Sequence, residues 1–177
     1  DYVLIGNISR AARIWEVLEK SGIPGVAGVW CHEIAGGALF TVISIQQMYA
    51  GQSKQAGLIA SQLSNTGRYT VVVDDDIDPS NLNDVIWALA TRSDPARSIE
   101  ILRLCPTTSA DPIVSPQEKR KTKSAPKPLY GSRAVIDACR PFEWKDEFYP
   151  VVRVSNELRR QLLDKWGHLF REFLSDA

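Results

Sequence analysis

Along the first part of the chain, short segments with the hydrophobic pattern of strands alternate with segments with the hydrophobic spacing of helices. Short apolar runs predict strands at residues 2–5, 26–33, 38–45 and 69–73. Apolar residues at helical spacing predict one helix between residue 8 and Gly22 and a second over residues 51–63. The glycines Gly36 and Gly37 favour a turn that makes the second and third strands an antiparallel pair.

The remaining pattern extends this βαββαβ order, which is that of a ferredoxin-like core. We expect a helix capped by Ser80, an edge strand at 99–102, a long loop at 105–132, a short strand at 133–138 and a helix from Ser155 to Leu174. The predicted fold is therefore α+β, a mixed β-sheet with helices packed on it, with an extension and a long C-terminal helix. We expect residues 1–154 to form one domain and residues 155–177 a separate amphipathic helix.

Composition narrows the class of protein. The chain has 177 residues, 44% of them hydrophobic, and its 21 basic and 21 acidic residues give a net charge of zero, which predicts a globular domain that binds no nucleic acid. No apolar run is long enough to span a membrane, and no signal-peptide pattern is present. Three scattered cysteines favour a reducing, cytoplasmic location. A chain that starts at Asp1 and has Met48 as its only methionine is interpreted as an excerpt of a larger protein.

The most distinctive segment is acidic and follows the strand at 69–73. Asp74, Asp75, Asp76 and Asp78 lie there, just before the helix capped by Ser80. Clustered carboxylates could bind Mg²⁺ or Ca²⁺, although the spacing does not fit an EF-hand. Alternatively, one aspartate caps the helix, another pairs with Arg92 or Arg97, and the rest are solvated. We favour the second interpretation.

The other reactive side chains give no catalytic pattern. Cys31 and His32 are adjacent in a predicted strand, so their side chains point to opposite faces and cannot form a catalytic pair. We expect the cysteines to be small buried hydrophobes, although Cys105 opens the irregular loop. The basic run from Lys119 to Lys127 could contact phosphates, but without aromatic residues it is more typical of a solvated, mobile loop.

The C-terminal helix carries a broad apolar stripe that includes Leu158, Leu162, Trp166 and Phe173. Burying five large side chains of this kind contributes roughly 8–15 kcal/mol before the cost of ordering them. The helix is therefore expected to pack on its own domain or on a second subunit, and we favour a dimer contact.

The segment VVVDDDIDPSNLNDVIWALATRSDPAR, residues 71–97, resembles the C-terminal domain signature of the UbiD-type decarboxylases. Further similar segments occur in the same order along nearly the whole chain. They are GIPGV at 22–26, SIQQMYAGQ at 44–52, Asp111-Pro112, and SRAVIDA at 132–138.

This resemblance implies a C-terminal domain of a carboxy-lyase that removes CO₂ from aromatic or α,β-unsaturated carboxylic acids. In that family, the catalytic glutamates and arginine, the prenylated FMN, and its Mn²⁺ and K⁺ belong to a flavin-binding domain. The resemblance thus implies no catalytic, cofactor or metal residues in this chain, which alone would be inactive and bind no cofactor. The implied partners are that domain of the same chain, a second copy of the chain, and a small aromatic acid.

The resemblance also implies that a loop of this domain forms one wall of the substrate cleft. The corresponding residues are Thr107, Thr108, Ala110, Asp111 and Pro112. Ala110 replaces the usual leucine, so we expect a wider cleft that accepts larger or bicyclic acids. The alternative is a stand-alone ferredoxin-like module that binds a small ligand or regulates a partner without catalysis.

Overall fold

The structure is a computed structural model that describes residues 2–64, 67–124, 127–151 and 154–169. It divides into two compact units, Asp1–Lys145 and Asp146–Ala177. The helices of the first unit are α1 (Tyr2–Lys20), α2 (Gln52–Ser61), α3 (Leu82–Arg92), α4 (Pro95–Ser98) and α5 (Pro116–Ser124). Its strands are β1 (Val26–Cys31), β2 (Phe40–Ile45), β3 (Tyr69–Asp74), β4 (Ile99–Thr107) and β5 (Leu129–Ala138).

The five strands form one mixed sheet in the order β1-β2-β3-β5-β4. The three inner strands β2, β3 and β5 are parallel, whereas β1 and β4 pair antiparallel with their neighbours at the two edges. The run Tyr69–Asp74 occupies the centre because its valines are buried on both faces, as its continuous apolar sequence predicts.

Helices cover both faces of this sheet. On one face, α1 and α2 pack on alternate residues of the strands, including Ile43 and Val72. On the other face, α3 packs through Val85 and Ala88 on the C-terminal halves of β3 and β5. The two hydrophobic clusters use opposite sides of the same strands, which is the expected result of the two-residue side-chain period.

The predicted α+β class and mixed sheet are confirmed, but the ferredoxin-like order is wrong. Residues 2–5, predicted to be a strand, form the first turn of helix α1. A short apolar run has no period of its own, and here it continues into the helical pattern of the following residues. The sheet therefore begins with the antiparallel pair β1 and β2, which the sequence predicts correctly.

The predicted long loop is also corrected. Strand β4 continues through Cys105 to Thr107, β5 already begins at Leu129, and helix α5 lies between them. Ser115 starts α5 by accepting a hydrogen bond from the Glu118 N–H, while the Glu118 carboxylate accepts from the Ser115 N–H. The basic run predicted to be a mobile loop is therefore helical as far as residue 124, and residues 125–126 lie outside the described residues.

Two helix ends differ from the prediction. Asn81, and not Ser80, caps α3, because its side chain accepts from the Asn83 N–H at 3.1 Å. In the second unit, α6 (Asn156–Trp166) is capped by Ser155 as predicted and is followed by a 3₁₀ turn to Leu169. The last part of the predicted helix, including Phe170 and Phe173, lies outside the described residues.

Candidate functional site

The turn that follows β4 is organised around one buried carboxylate. Asp111 is 4% exposed, and its Oδ2 accepts a hydrogen bond from the Thr107 hydroxyl at 2.8 Å. Its Oδ1 accepts from the Ile113 N–H at 3.1 Å and from the Arg68 guanidinium. Asp111 thus ties both ends of the turn, Thr107 and Ile113, to the start of the central strand. We call these hydrogen bonds to the Asp111 carboxylate the clamp.

The charge of Asp111 is held by these donors. Burial raises the pKa of the Asp111 carboxyl, but hydrogen bonds from the Ile113 N–H, the Thr107 hydroxyl and Arg68 outweigh burial. Its pKa therefore lies below the ordinary value, and Asp111 is ionised at neutral pH. An ionised, nearly buried carboxylate with three donors fixes a loop but has little freedom to exchange protons with a substrate.

The structure brings four of the five predicted wall residues, all except Pro112, into one hydrogen-bonded turn. The Asp111 N–H donates to the Thr108 carbonyl at 3.1 Å, and the Ala110 N–H donates to the Thr108 hydroxyl at 3.3 Å. Thr107 and Thr108 are half-buried, whereas Ala110 and Pro112 are exposed and make no side-chain contribution to the clamp. The turn therefore presents the Ala110 methyl group and the Pro112 ring at its surface.

An apolar groove that the sequence does not predict lies beside this turn. Its volume is about 470 Å³, and it occupies the face of the sheet that α3 packs against, over the first residues of β3 and β5. Its main apolar residues are exposed by about half or more; they are Tyr69, Ile101, Ile113 and Tyr130. The signal in the sequence is the strand alternation that places Tyr69, Ile101 and Tyr130 on one face, but sequence alone does not reveal that this end of the sheet stays exposed.

The acidic segment forms a network of ion pairs around Arg92. The Arg92 side chain is fully buried, and it donates to Asp74 at 2.9 Å and to both carboxylate oxygens of Asp76 at 2.8 and 2.7 Å. The hydrogen bonds from Arg92 hold the pKa of Asp76 below its ordinary value. This arrangement matches the pairing with Arg92 that the sequence suggests.

Asp74 is also held by the segment that follows β5. The Arg140 N–H and Nε donate to Asp74 Oδ2 at 2.8 and 3.1 Å, and Gln47 Nε2 donates to Oδ1 at 2.6 Å. Lys145 Nζ in turn donates to the Gln47 carbonyl at 3.0 Å. The network joins the ends of β2, β3, β5 and α3, and its carboxylates already have cationic partners.

Cation binding is not supported by this arrangement. Within the described ranges, no group of three or more His, Cys, Asp or Glu side chains is placed to hold a metal ion. Asp78 instead accepts from the Ser80 N–H and hydroxyl, which lowers its pKa. The acidic segment is therefore a structural element of the fold.

The histidines and cysteines do not form a catalytic pair in the described part of the chain. His32 Nε2 lies 3.0 Å from the Pro79 carbonyl oxygen, whereas Cys31 Sγ lies 3.7 Å from Thr41 Oγ1. All three cysteines are free and buried, as predicted, and burial raises the pKa of the Cys139 thiol well above its ordinary value. Cys105 lies in β4 rather than at the start of a loop.

No helix among the described residues is both long enough and apolar enough to cross a bilayer. This finding agrees with the absence of a long apolar run in the sequence.

Comparisons with known proteins agree with this fold. The chain is 30% identical over 152 residues to a gallate decarboxylase of Lactiplantibacillus plantarum, which covers 84% of this chain and 30% of the relative. The UbiD-class enzyme HmfF of Pelotomaculum thermopropionicum, solved with FMN, superposes with a TM-score of 0.75 and 24% identity, covering 93% of this chain and 33% of that one. Vanillic acid decarboxylase of Sedimentibacter hydroxybenzoicus superposes with a TM-score of 0.63 in a closed form and 0.64 in an open form. Each superposition has 23% identity and covers 93% of this chain and 32% of that one.

The chain spans about a third of the length of these proteins, and the likeness to the two solved enzymes is a likeness of fold. The family assignment comes from a direct match. Residues 3–138 match the family described as the 3-octaprenyl-4-hydroxybenzoate carboxy-lyase C-terminal domain, so the chain belongs to this UbiD C-terminal domain family.

Proposed function

We propose that this chain acts as the C-terminal domain of a prenylated-flavin-dependent decarboxylase of aromatic or α,β-unsaturated carboxylic acids. Family membership and a relative named gallate decarboxylase support this proposal. Because the chain spans about a third of its relatives, the catalytic groups and the cofactor are assigned to the rest of a longer protein. In the cell we place that protein in the cytoplasm, which three free cysteines favour.

Among the described residues, those beside the groove and those of the acidic segment do not fit the flavin phosphate or its ions. A flavin phosphate needs uncommitted cations or backbone amides, yet Arg68 beside the groove is paired with Asp111. Arg133, also beside the groove, donates to the carbonyls of Ser61 and Pro106. In the acidic segment, the carboxylates of Asp74 and Asp76, which Mn²⁺ or K⁺ would need, are held by Arg92 and Arg140. When bound elsewhere in the protein, the flavin supplies the electron sink for loss of CO₂.

The observation that carries the proposal is the shape of the turn at residues 107–112. Asp111 fixes this turn, and Ala110 and Pro112 lie on its exposed side. An apolar surface of this kind can bound a cleft and exclude water from an aromatic acid without taking part in proton transfer. We assign Thr107, Thr108, Ala110, Asp111 and Pro112 to the wall of the substrate cleft, in which the small Ala110 leaves room for a bicyclic ring.

The experiment compares wild-type full-length enzyme with the Ala110→Leu variant on a one-ring and a two-ring aromatic acid. Three additional carbons at this exposed position should lower kcat/KM for the two-ring acid by about tenfold or more and affect the one-ring acid much less. Ala96→Leu, at an exposed position in α4, is the matched control. Unchanged activity of Ala110→Leu on both acids would overturn the assignment of the wall.

A second measurement tests the placement of the cofactor. The chain purified alone should be colourless and inactive, since the groups that bind flavin are assigned to another part of the enzyme. A flavin absorbance band that stays with the 177-residue chain through gel filtration would contradict this placement.

We further propose that the C-terminal segment, residues 155–177, provides a contact in a homodimer and that the described helix α6 carries this contact. Leu158, Leu162 and Trp166 of α6 are each between 44% and 46% exposed, which is a large apolar surface to leave in water. Deleting residues 155–177 should convert the dimer to a monomer in light scattering, and an unchanged dimer mass would rule out this contact.

A further inference from the structure

The clamp on the cleft-wall turn has one component that comes from outside the turn. Thr107 and Ile113 are four and two residues from Asp111 along the chain, so their hydrogen bonds shape the turn locally. Arg68 is 43 residues away and donates from its Nη2 to Asp111 Oδ1. The local bonds set the conformation of the turn, whereas the Arg68 bond sets its position relative to the sheet.

The backbone of Arg68 is held in place by hydrogen bonds on both sides of the central strand. Its N–H donates to the Leu39 carbonyl at 3.3 Å, and its own carbonyl accepts from the Ala134 N–H at 2.8 Å. These bonds tie the backbone of Arg68 to the segment before β2 and to β5 on the two sides of the central strand. A side chain that is 23% exposed and whose backbone is anchored in this way loses little additional freedom when its guanidinium pairs with Asp111.

The position of Ala110 depends directly on this pair, because Ala110 immediately precedes Asp111. The other anchor of the turn is Val114, which is 6% exposed and whose N–H donates to the Asp111 carbonyl at 3.3 Å. Apolar packing keeps the Val114 side chain in the protein interior. Because this packing has no preferred direction, it still allows the turn to slide or rotate. The charged pair supplies the directional constraint that packing lacks.

We propose that Arg68 is a positioning residue of the cleft wall: through Asp111 it holds the Ala110 turn in the position, relative to the sheet, that receives the substrate. This inference deepens the proposed function and rests on it. Arg68 touches no reacting atom, so its replacement should weaken substrate binding and leave the chemical step of bound substrate largely intact. Loss of a charge-assisted hydrogen bond can shift the ratio of clamped to released conformations by up to about a hundredfold. A ratio of about 10:1 in the wild type would then become about 1:10, and the apparent affinity would fall by about tenfold with the clamped fraction.

The kinetic test uses the full-length enzyme with Arg68→Met, Arg68→Lys and, as control, Lys54→Met, which removes an ion pair with Glu100 on the sheet edge. Arg68→Met should raise KM for an aromatic acid by about tenfold and change kcat by less than about twofold. Arg68→Lys keeps the charge and should recover part of the loss, while Lys54→Met should match wild type. Equal loss of kcat in Arg68→Met and Arg68→Lys, with KM unchanged, would overturn the proposal.

A double-variant cycle tests whether Arg68 acts through Asp111. Asp111→Asn alone should raise KM, and adding Arg68→Met to it should change KM by less than about twofold, because the shared interaction is already lost. If the two substitutions instead multiply in their effects on KM, Arg68 acts by another route and the proposal is wrong.

Amide hydrogen exchange of the same full-length protein provides a readout that needs no activity. Arg68→Met should speed exchange at Ile113 and Val114, whose amides donate to Asp111, by about tenfold and leave Val72 in β3 unchanged. Unchanged exchange at Ile113 and Val114 would overturn the clamp. If exchange changes as expected but the wild-type enzyme decarboxylates no aromatic acid, the proposed function fails and the clamp stands.

Discussion

Replacing Arg92 by methionine should destabilise the domain more than any change to a surface ion pair. The guanidinium of Arg92 is fully buried and donates three charge-assisted hydrogen bonds, one to Asp74 and two to Asp76, at 2.7–2.9 Å. Methionine preserves much of the apolar stem but removes every donor and the positive charge. Asp74, whose side chain is 3% exposed, then remains buried with less compensation.

The size of the loss follows from the partners that remain. Removing one member of a buried ion pair costs about 3–5 kcal/mol. Asp76 is 35% exposed and can replace Arg92 by water, and Asp74 keeps Gln47 and Arg140 as donors. These remaining partners place the expected loss for Arg92→Met near the lower value, about 3 kcal/mol. Arg92→Lys, which can serve only one carboxylate well, should cost less.

Urea unfolding followed by circular dichroism measures this loss. With a denaturant slope of about 2 kcal/mol per molar, a loss of about 3 kcal/mol lowers the midpoint by about 1.5 M. Fluorescence is a poorer probe, because the Trp87 ring lies 5.1 Å from the Arg92 guanidinium and its signal would change directly. Lys20→Met, which removes an exposed helical ion pair with Glu16, should leave the midpoint unchanged. A loss below about 1 kcal/mol for Arg92→Met would refute the reasoning, since it would mean that water compensates Asp74 fully.

Gly57→Ala should lower the melting temperature, because a Cβ at this position would overlap Val135 and lie 3.2 Å from Val72. The resulting strain of about 1–3 kcal/mol outweighs the gain in helix propensity of about 1 kcal/mol. Gly6→Ala in α1 should raise the melting temperature, because among the described residues no atom outside its own helical turn lies within 4 Å of the added Cβ. The opposite order of the two melting temperatures would contradict this reasoning. The folded-state pKa values of Asp76 and Asp111 are lowered, so the stability that these carboxylates contribute is present above the ordinary pKa near 4 and is lost as pH falls further. A urea midpoint that stays constant from pH 6 to 2.5 would contradict this pH dependence.

The sheet could be predicted largely from the sequence because its strands carry strong local signals. The continuous valines of β3 predict a strand buried on both faces, and the glycines Gly36 and Gly37 predict the connection between β1 and β2. Both glycines have positive φ values, 64° and 65°, which glycine adopts without strain. Local sequence signals are therefore sufficient to predict these elements.

The two errors in the fold have different causes. Residues 2–5 are too short and too uniformly apolar to distinguish strand from helix, and only their continuity with the helical residues that follow decides the outcome. Helix α5, in contrast, had a usable signal: Ser115 and Glu118 form a capping pair around Pro116 at the first helical position. The density of prolines and lysines in that segment obscured it.

The candidate site was predictable only through the resemblance to a family. Nothing in the sequence links Arg68 to Asp111, because the pair forms only when β3 and the turn after β4 meet across β5. The same holds for the groove, since the exposure of Tyr69 and Tyr130 depends on how far α3 extends over the sheet. Contacts of this kind are properties of the packed fold.

The strand β3 separates the two charged networks, one around Asp111 and one around Arg92, because they lie at its opposite ends. Arg68 precedes the strand and clamps the turn, whereas Asp74 ends the strand and binds Arg92. Six residue steps of about 3.3 Å place the two groups about 20 Å apart along the strand. At that distance, with no partner residue shared among the described contacts, the effects of substituting Arg92 and Arg68 should add. The acidic segment, which is the clearest family signal in the sequence, therefore stabilises the end of the strand opposite to the turn that we propose as the cleft wall.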